Sequence, residues 1–398
     1  MELLKGNVVT PFEVIPGGGV VISDGRIVEI LPGNGAPRSA AVTDAGDGYV
    51  MPGLVDIHNH GGMGLDYMDA TEEAFQGISR HLAAHGVTTA LAATAAASVD
   101  AILACLQSYR RWLARPAQGC RLVGIHLEGP FLSHANRGAQ PEASLRVPRD
   151  GYGFILEHAD VIRMATVSPE LEGMPEMIRD LRTSGIVVSG GHDDAIDAEI
   201  MRAIDAGMTH TTHIYCAMST LPKRGAVRYA GLCEVAMTDD RLTTEMIADD
   251  HHVPPILARM IYRCKGPDRL CLVSDCIRAG GMPPDSSRPI TLGKPGEGGQ
   301  PVVIVDGIAM LPDRSRYAGS IQSLDRMIFN VVRNAGFPIH DAVRMASLTP
   351  AAVIGLQKEI GSIEPGKRAD ICIMDSAFRV LRTISGGETI YSGSSSST

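Results

Sequence analysis

The chain has 398 residues, room for a large catalytic domain and a smaller companion. Its formal charge of -9 gives no basis for binding nucleic acid or an anionic membrane surface. No apolar stretch approaches the roughly 18 residues of a membrane span, and the N-terminus lacks the charged leader and apolar run of a signal peptide. Eight cysteines scattered without CxxC spacing point to a reduced, cytoplasmic enzyme rather than a disulfide framework.

Residues 1–52 alternate short apolar runs with turn signals such as Asp24-Gly25, and residues 359–398 have the same texture, with three short strands after "GSIEPGKRAD" and a flexible "GSSSST" tail. Two β-rich ends around a different middle predict one small β-sandwich domain built from both termini. Residues 53–358 alternate strand-like runs with amphipathic helices. The runs fall at 54–57, 87–94, 121–127, 161–167, 185–190, 208–214, 243–249 and 270–275. Helical stretches fall at 72–85, 98–114, 194–206 and 254–264, a β-hairpin at 301–312 and terminal helices at 338–355. Eight strands alternating with helices predict a parallel (β/α)8 barrel.

Six polar segments close apolar runs, and they carry the chemistry. His58 and His60 end the first barrel strand two residues apart, so the period of two puts both imidazoles on one face. An isolated HxH is as often two unrelated loop residues, but barrel active sites form at this end of the strands. Imidazole nitrogen suits zinc or iron(II). Glu128, stopped by Gly129-Pro130, can ligate one metal or bridge two. His126, two residues earlier, reads as a supporting residue. His192 and His213 end the fifth and sixth strands and can meet at one metal, because neighbouring strands lie about 5 Å apart. His210, three residues before His213, is expected on the opposite face as a packed or hydrogen-bonded core histidine. His81, His85, His134, His158 and His340 read as structural or surface residues. Asp275 ends the eighth strand, placed to accept a proton from an attacking water and return it to a leaving amine. An aspartate after a strand is ordinarily a turn or cap residue; beside four to five metal ligands the catalytic reading prevails.

The set "PGLVDIHNHG", "GIHLEGPF", "RGAQP", "IVVSGGH", "THIYCAM", "IADDHHVPP", "LVSDC" and "PGKRAD" resembles the amidohydrolase superfamily, and within it the N-acetylglucosamine-6-phosphate deacetylases. The resemblance implies that Glu128, His192 and His213 hold a principal metal and that His58 and His60 match a second site kept by some members. It implies one or two divalent ions, Zn2+ or Fe2+, with Asp275 as general base and acid. On the substrate side it implies Gln140, Cys216, Ala217, Arg228 and His252, with Arg228 and His252 near a phosphate, and a homodimer. The implied substrate is a small N-acyl amino sugar, phosphorylated, with no nucleic-acid or membrane partner.

Two positions depart from the family pattern. Cys216 stands where an Asn amide holds the substrate, and a thiol is a weak hydrogen-bonding group. Asp250, two residues before His252, adds a carboxylate that would repel a phosphate unless it points away. The expectation is a metal-dependent deacetylase of N-acetylglucosamine 6-phosphate or a close relative. The alternative is an amidohydrolase acting on an N-acyl amino acid or an unphosphorylated N-acyl sugar.

Overall fold

A computed structural model of the chain describes residues 1–33, 41–115, 118–283, 290–296 and 298–393; most of the serine-rich tail, 394–398, lies outside them. Eight parallel strands pair in chain order: Leu54–Asn59, Val87–Thr94, Arg121–Glu128, Ile162–Val167, Val187–Gly190, His210–Thr211, Thr243–Met246 and Leu270–Leu272. The second of them is buried at every residue, as a strand covered on one side by helices and on the other by barrel contents must be. The sheet closes on itself where the chain after the eighth strand returns to the first. Asn59 bridges Cys276, Asp275 N–H donates to His58 O at 2.9 Å, and His60 N–H donates to Cys276 O at 2.9 Å.

The helices follow local signals. In Glu72–Ala84, Thr71 Oγ1 accepts the Ala74 N–H at 3.1 Å and two glutamates occupy the first turn. In Val99–Leu113, Ser98 caps the first turn and Arg110 and Arg111 end the last. Asp197–Ala206 and Pro255–Lys265 occupy the other expected stretches, and Ile339–Met345 and Leu348–Val353 the terminal one. The expected hairpin consists of Val303–Val305 paired with Ile308–Met310.

The termini build one seven-stranded sheet. Its order is Glu388–Ser392, Val380–Ser385, Ile371–Met374, Ala41–Pro52, Glu2–Val9, Val14–Ser23 and Arg26–Leu31. It bends over its own core of Leu4, Val20, Ile22, Ile27, Val50, Ile371 and Ile373. The edge strand then meets the segment before Ile371, through Ile27 N–H to Lys367 O at 2.9 Å and Ala369 N–H to Gly25 O at 2.9 Å. That fold-over is the form the small sandwich takes. Thr383 Oγ1 donates to Ala83 O at 2.7 Å, fixing the sheet to the first barrel helix.

Three barrel strands stop before the ends of the apolar runs that predict them: the sixth ends at Thr211, the seventh at Met246 and the eighth at Leu272. The chain leaves strand geometry there, with positive φ at His213, Asp250 and Asp275. At His213 and Asp275 the departure leaves the side chain lining the barrel mouth.

Candidate active site

Four imidazoles and two carboxylates meet at that mouth, all less than a tenth exposed. Glu128 Oε1 lies 3.0 Å from His213 Nε2, 3.1 Å from His192 Nε2 and 3.4 Å from His58 Nε2. Asp275 Oδ1 lies 3.2 Å from His60 Nε2 and 3.5 Å from His58 Nε2, and the two Nε2 atoms are 3.2 Å apart. The six expected metal and acid–base residues therefore converge.

The far sides of the rings reveal what the near sides require. His58 Nδ1 donates to Glu245 Oε2 at 2.8 Å, and His192 Nδ1 donates to Asn136 O at 3.2 Å. In a neutral imidazole with Nδ1 protonated, Nε2 carries a lone pair. Both lone pairs would then point at the oxygen of Glu128, an arrangement that calls for positive charge between them. Burial opposes an imidazolium, yet the carboxylates of Glu245, Asp275 and Glu128 raise the pKa of His58 well above its usual value. Glu128 is likewise desolvated, but His192 and His58 hold its carboxyl well below the ordinary range. A divalent cation meets the same demand with neutral rings. Nitrogen and carboxylate donors, with His58 held from behind by a carboxylate and His192 by a carbonyl, are the donor set of zinc or iron(II). His58, Glu128 and His213, and separately His58, His60 and Asp275, have ligand atoms all within 4.8 Å of one another. The residues fit one metal or two.

A polar floor lies beneath. Burial and the neighbouring His58 lower the pKa of His126 to about 3, so this ring is neutral. Its Nδ1 donates to Ile57 O at 3.0 Å, which leaves Nε2 to accept from Thr166 Oγ1 at 2.7 Å. Thr166 then accepts from Thr212 Oγ1 at 2.8 Å, and Thr212 from Ser189 Oγ at 2.6 Å. His126 has the supporting role expected of it.

Amidohydrolase family sequences match residues 49–390 of the chain. The chain belongs to the amidohydrolase family. It is 34% identical over 394 residues to an N-acetylglucosamine-6-phosphate deacetylase of Bacillus subtilis, covering 96% of this chain and 95% of that one. It is 31% identical to an N-acetylgalactosamine-6-phosphate deacetylase of Escherichia coli O157:H7, covering 90% and 91%. Among solved structures, a mutant of the Mycobacterium smegmatis N-acetyl-D-glucosamine-6-phosphate deacetylase, in complex with N-acetyl-D-glucosamine-6-phosphate, superimposes with a TM-score of 0.88. That pair is 31% identical, with 98% of this chain and 99% of the other covered. The protein is thus a metal-dependent amidohydrolase.

In this amidohydrolase a cavity of about 290 Å³ opens above the cluster, lined by His60, Glu128, His192, His213 and Asp275 on its floor. Gln140, Cys216, Ala217 and His252 line its walls. Gln140 spans two elements, accepting the Ala96 N–H at 2.8 Å and donating to Glu128 Oε2. His252 Nδ1 donates to Asp249 Oδ2 at 2.7 Å. Asp250 is turned out of the cavity, its Oδ2 accepting from Asn334 Nδ2 at 2.5 Å. The repulsion anticipated at this position is therefore avoided. Arg228 does not join these residues: it is exposed on a small hairpin of Lys223–Arg224 and Val227–Arg228, away from the cavity wall of its own chain.

His210 differs from expectation in direction. It is a buried, hydrogen-bonded histidine, but it faces inward, with Nε2 donating to Glu245 Oε1 at 3.3 Å. His213 lies beyond the strand end with φ +25°, so strand parity does not relate the two side chains. Glu245 itself was not foreseen. Its carboxylate takes hydrogen bonds from His58, from His210 and from the His213 N–H at 3.2 Å. The available signal was an acidic residue inside a strand that is otherwise buried.

Proposed function

We propose that this amidohydrolase removes the acetyl group from a phosphorylated N-acetyl amino sugar, N-acetylglucosamine 6-phosphate or its galactosamine epimer. The observation that carries the proposal is the placement of Asp275 Oδ1 beside His60 and His58 on the floor of a sugar-sized cavity. The names of the full-length relatives supply the substrate class.

Glu128, His192 and His213 would hold the principal ion, and His58 and His60 a second, as Zn2+ or Fe2+. A divalent ion bound there acidifies water and polarises the amide carbonyl. Asp275 accepts a proton from the water as its oxygen attacks the carbonyl carbon. The carbon–nitrogen bond then breaks, and Asp275 delivers the proton to the departing nitrogen, giving acetate and the free amine. Gln140 keeps the Glu128 carboxylate oriented. Cys216, Ala217 and His252 line the space for the sugar, with His252 held by Asp249. The exposed hairpin bearing Arg228 suits a homodimer in which that guanidinium reaches the partner subunit's cavity. All eight cysteines are unpaired thiols, consistent with a cytoplasmic enzyme.

Metal-loaded protein incubated with N-acetylglucosamine 6-phosphate and with N-acetylgalactosamine 6-phosphate should release free amine from at least one. Turnover of neither, together with turnover of an N-acyl amino acid or an unphosphorylated N-acyl sugar, would reject the substrate and keep the mechanism. Cys216 on the cavity wall is the observation that favours this second reading.

A further inference from the structure

Arg316 lines the same cavity and is the only lysine or arginine among the described residues of its wall. We infer that Arg316 is a specificity determinant that recognises the anionic substituent of the substrate from within the same chain, whether or not a partner subunit adds Arg228. This rests on the sugar-phosphate reading above and names the group that reads the phosphate.

The first support is how the guanidinium is held. Arg316 sits on a short antiparallel ladder, where Leu311 N–H donates to Arg316 O at 3.0 Å and Ala318 N–H donates to Ala309 O at 3.0 Å. Its backbone is therefore fixed on both sides. Nη1 donates to Gly138 O at 3.1 Å, across the cavity from the ladder. No carboxylate is bonded to its side chain among the described residues. A guanidinium presents five N–H donors, and the bond to Gly138 O is the one its side chain makes among the described residues, with the Asp313 carboxylate near enough to feel its charge. Its planar fork matches the oxygens of a phosphate or carboxylate.

The second support is its tie to the reacting end. Four residues on, Ser320 N–H donates to Asp275 O at 2.8 Å, and Ile277 N–H donates to Ser320 O at 2.9 Å. Fully extended, those four residues span at most roughly 13 Å. A Cβ added to Gly138, the other anchor, would stand 3.1 Å from His192 Cε1. The cation is thus fixed between the segment that carries Asp275 and the loop that packs on His192. A sugar ring with one charged substituent fits that interval, with its amide at the floor and its anion at Arg316. The ring of Tyr317, the next residue, packs 4.6 Å from the ring of His252, so the residue following Arg316 is seated against the cavity wall.

The test compares wild type, Arg316→Gln and Arg316→Lys, all metal-loaded, on N-acetylglucosamine 6-phosphate and N-acetylglucosamine. For Arg316→Gln, KM for the phosphorylated sugar should rise by about ten- to a hundredfold, the loss of a charged hydrogen bond. kcat should change less than about threefold, and Arg316→Lys should recover part of the loss. The unphosphorylated sugar should be unaffected. Equal losses on both sugars would make Arg316 only a brace for the Gly138 loop and overturn the inference, as would no change on either. Binding of glucosamine 6-phosphate and glucosamine by calorimetry keeps the question open to test if neither sugar is hydrolysed. Arg316→Gln should then lose its preference for the phosphorylated ligand, and a wild type that binds both equally would overturn the inference.

Discussion

Glu245 Oε2 accepts a hydrogen bond from His58 Nδ1 at 2.8 Å, and both residues are closed to solvent. A carboxylate behind a ligand imidazole fixes the tautomer that offers Nε2 to the metal and raises the basicity of that nitrogen. The same carboxylate holds His210 and the His213 N–H, so one side chain orients three parts of the centre.

Glu245→Gln should therefore weaken metal binding by about 10- to 100-fold while leaving the fold intact. Competition with a chelator of known affinity measures this. Unchanged affinity would reduce Glu245 to a packing residue.

Asp275→Asn removes the proton acceptor and keeps the shape. kcat should fall by about 10²- to 10⁴-fold with metal content and KM little changed. Steady-state kinetics and elemental analysis on the same preparation decide it; a loss of metal equal to the loss of rate would make Asp275 chiefly a ligand.

Chelation should abolish activity and lower the melting temperature. An ion present at a thousand times its dissociation constant stabilises the native state by roughly 4 kcal/mol. Zinc or iron(II) added back should restore both, and calorimetry with and without chelator reads the shift.

Cys216→Asn should lower KM for N-acetylglucosamine 6-phosphate, because an amide on this wall offers both a donor and an acceptor where the thiol offers little. A gain of about tenfold is expected from one added hydrogen bond. A loss of activity would mean that the natural substrate is matched to the thiol.

His81 packs between Gly62 and Gly281, with its ring centroid 4.7 Å from that of His85. Burial first, and then the neighbouring His85, lower its pKa to about 4, with Asp325 opposing. The unfolded chain binds this proton near pH 6.5 and the folded chain only near pH 4. Stability therefore falls as pH drops through that window and is fully recovered above it. His81 keeps some contact with solvent, so about 1–2 kcal/mol is expected. His81→Gln should flatten urea-unfolding midpoints between pH 4 and 6.5 relative to wild type.

Much of the architecture was readable because several barrel strands lie in apolar runs closed by a polar residue, as at "PGLVDIHNH" and "GIHLEGPF". What escaped depends on where strands stop. Assuming a regular strand to Ile214 put His210 on the wrong face, whereas pairing ends at Thr211 and the positive φ at His213 resets the direction. Glu245 was hidden because nothing in "TTEMIAD" tells that His58 and His210 come to meet it from other strands. Arg316 was passed over for a similar reason. Its place on the cavity wall depends on a ladder that packs back from beyond the eighth strand.

The seam of the barrel runs through the proposed centre, since the Asp275 amide is bonded to the His58 carbonyl and the His60 amide to that of Cys276. The two edges that close the cylinder also bring His58 and His60 to within 3.5 Å of the proposed base, Asp275. Unzipping that seam would disperse the centre at the same moment. The amide protons of Asp275 and His60 should then exchange with solvent together, and slowly. Their exchange rate is a clock for how often the enzyme, still largely folded, passes through a form unable to turn over.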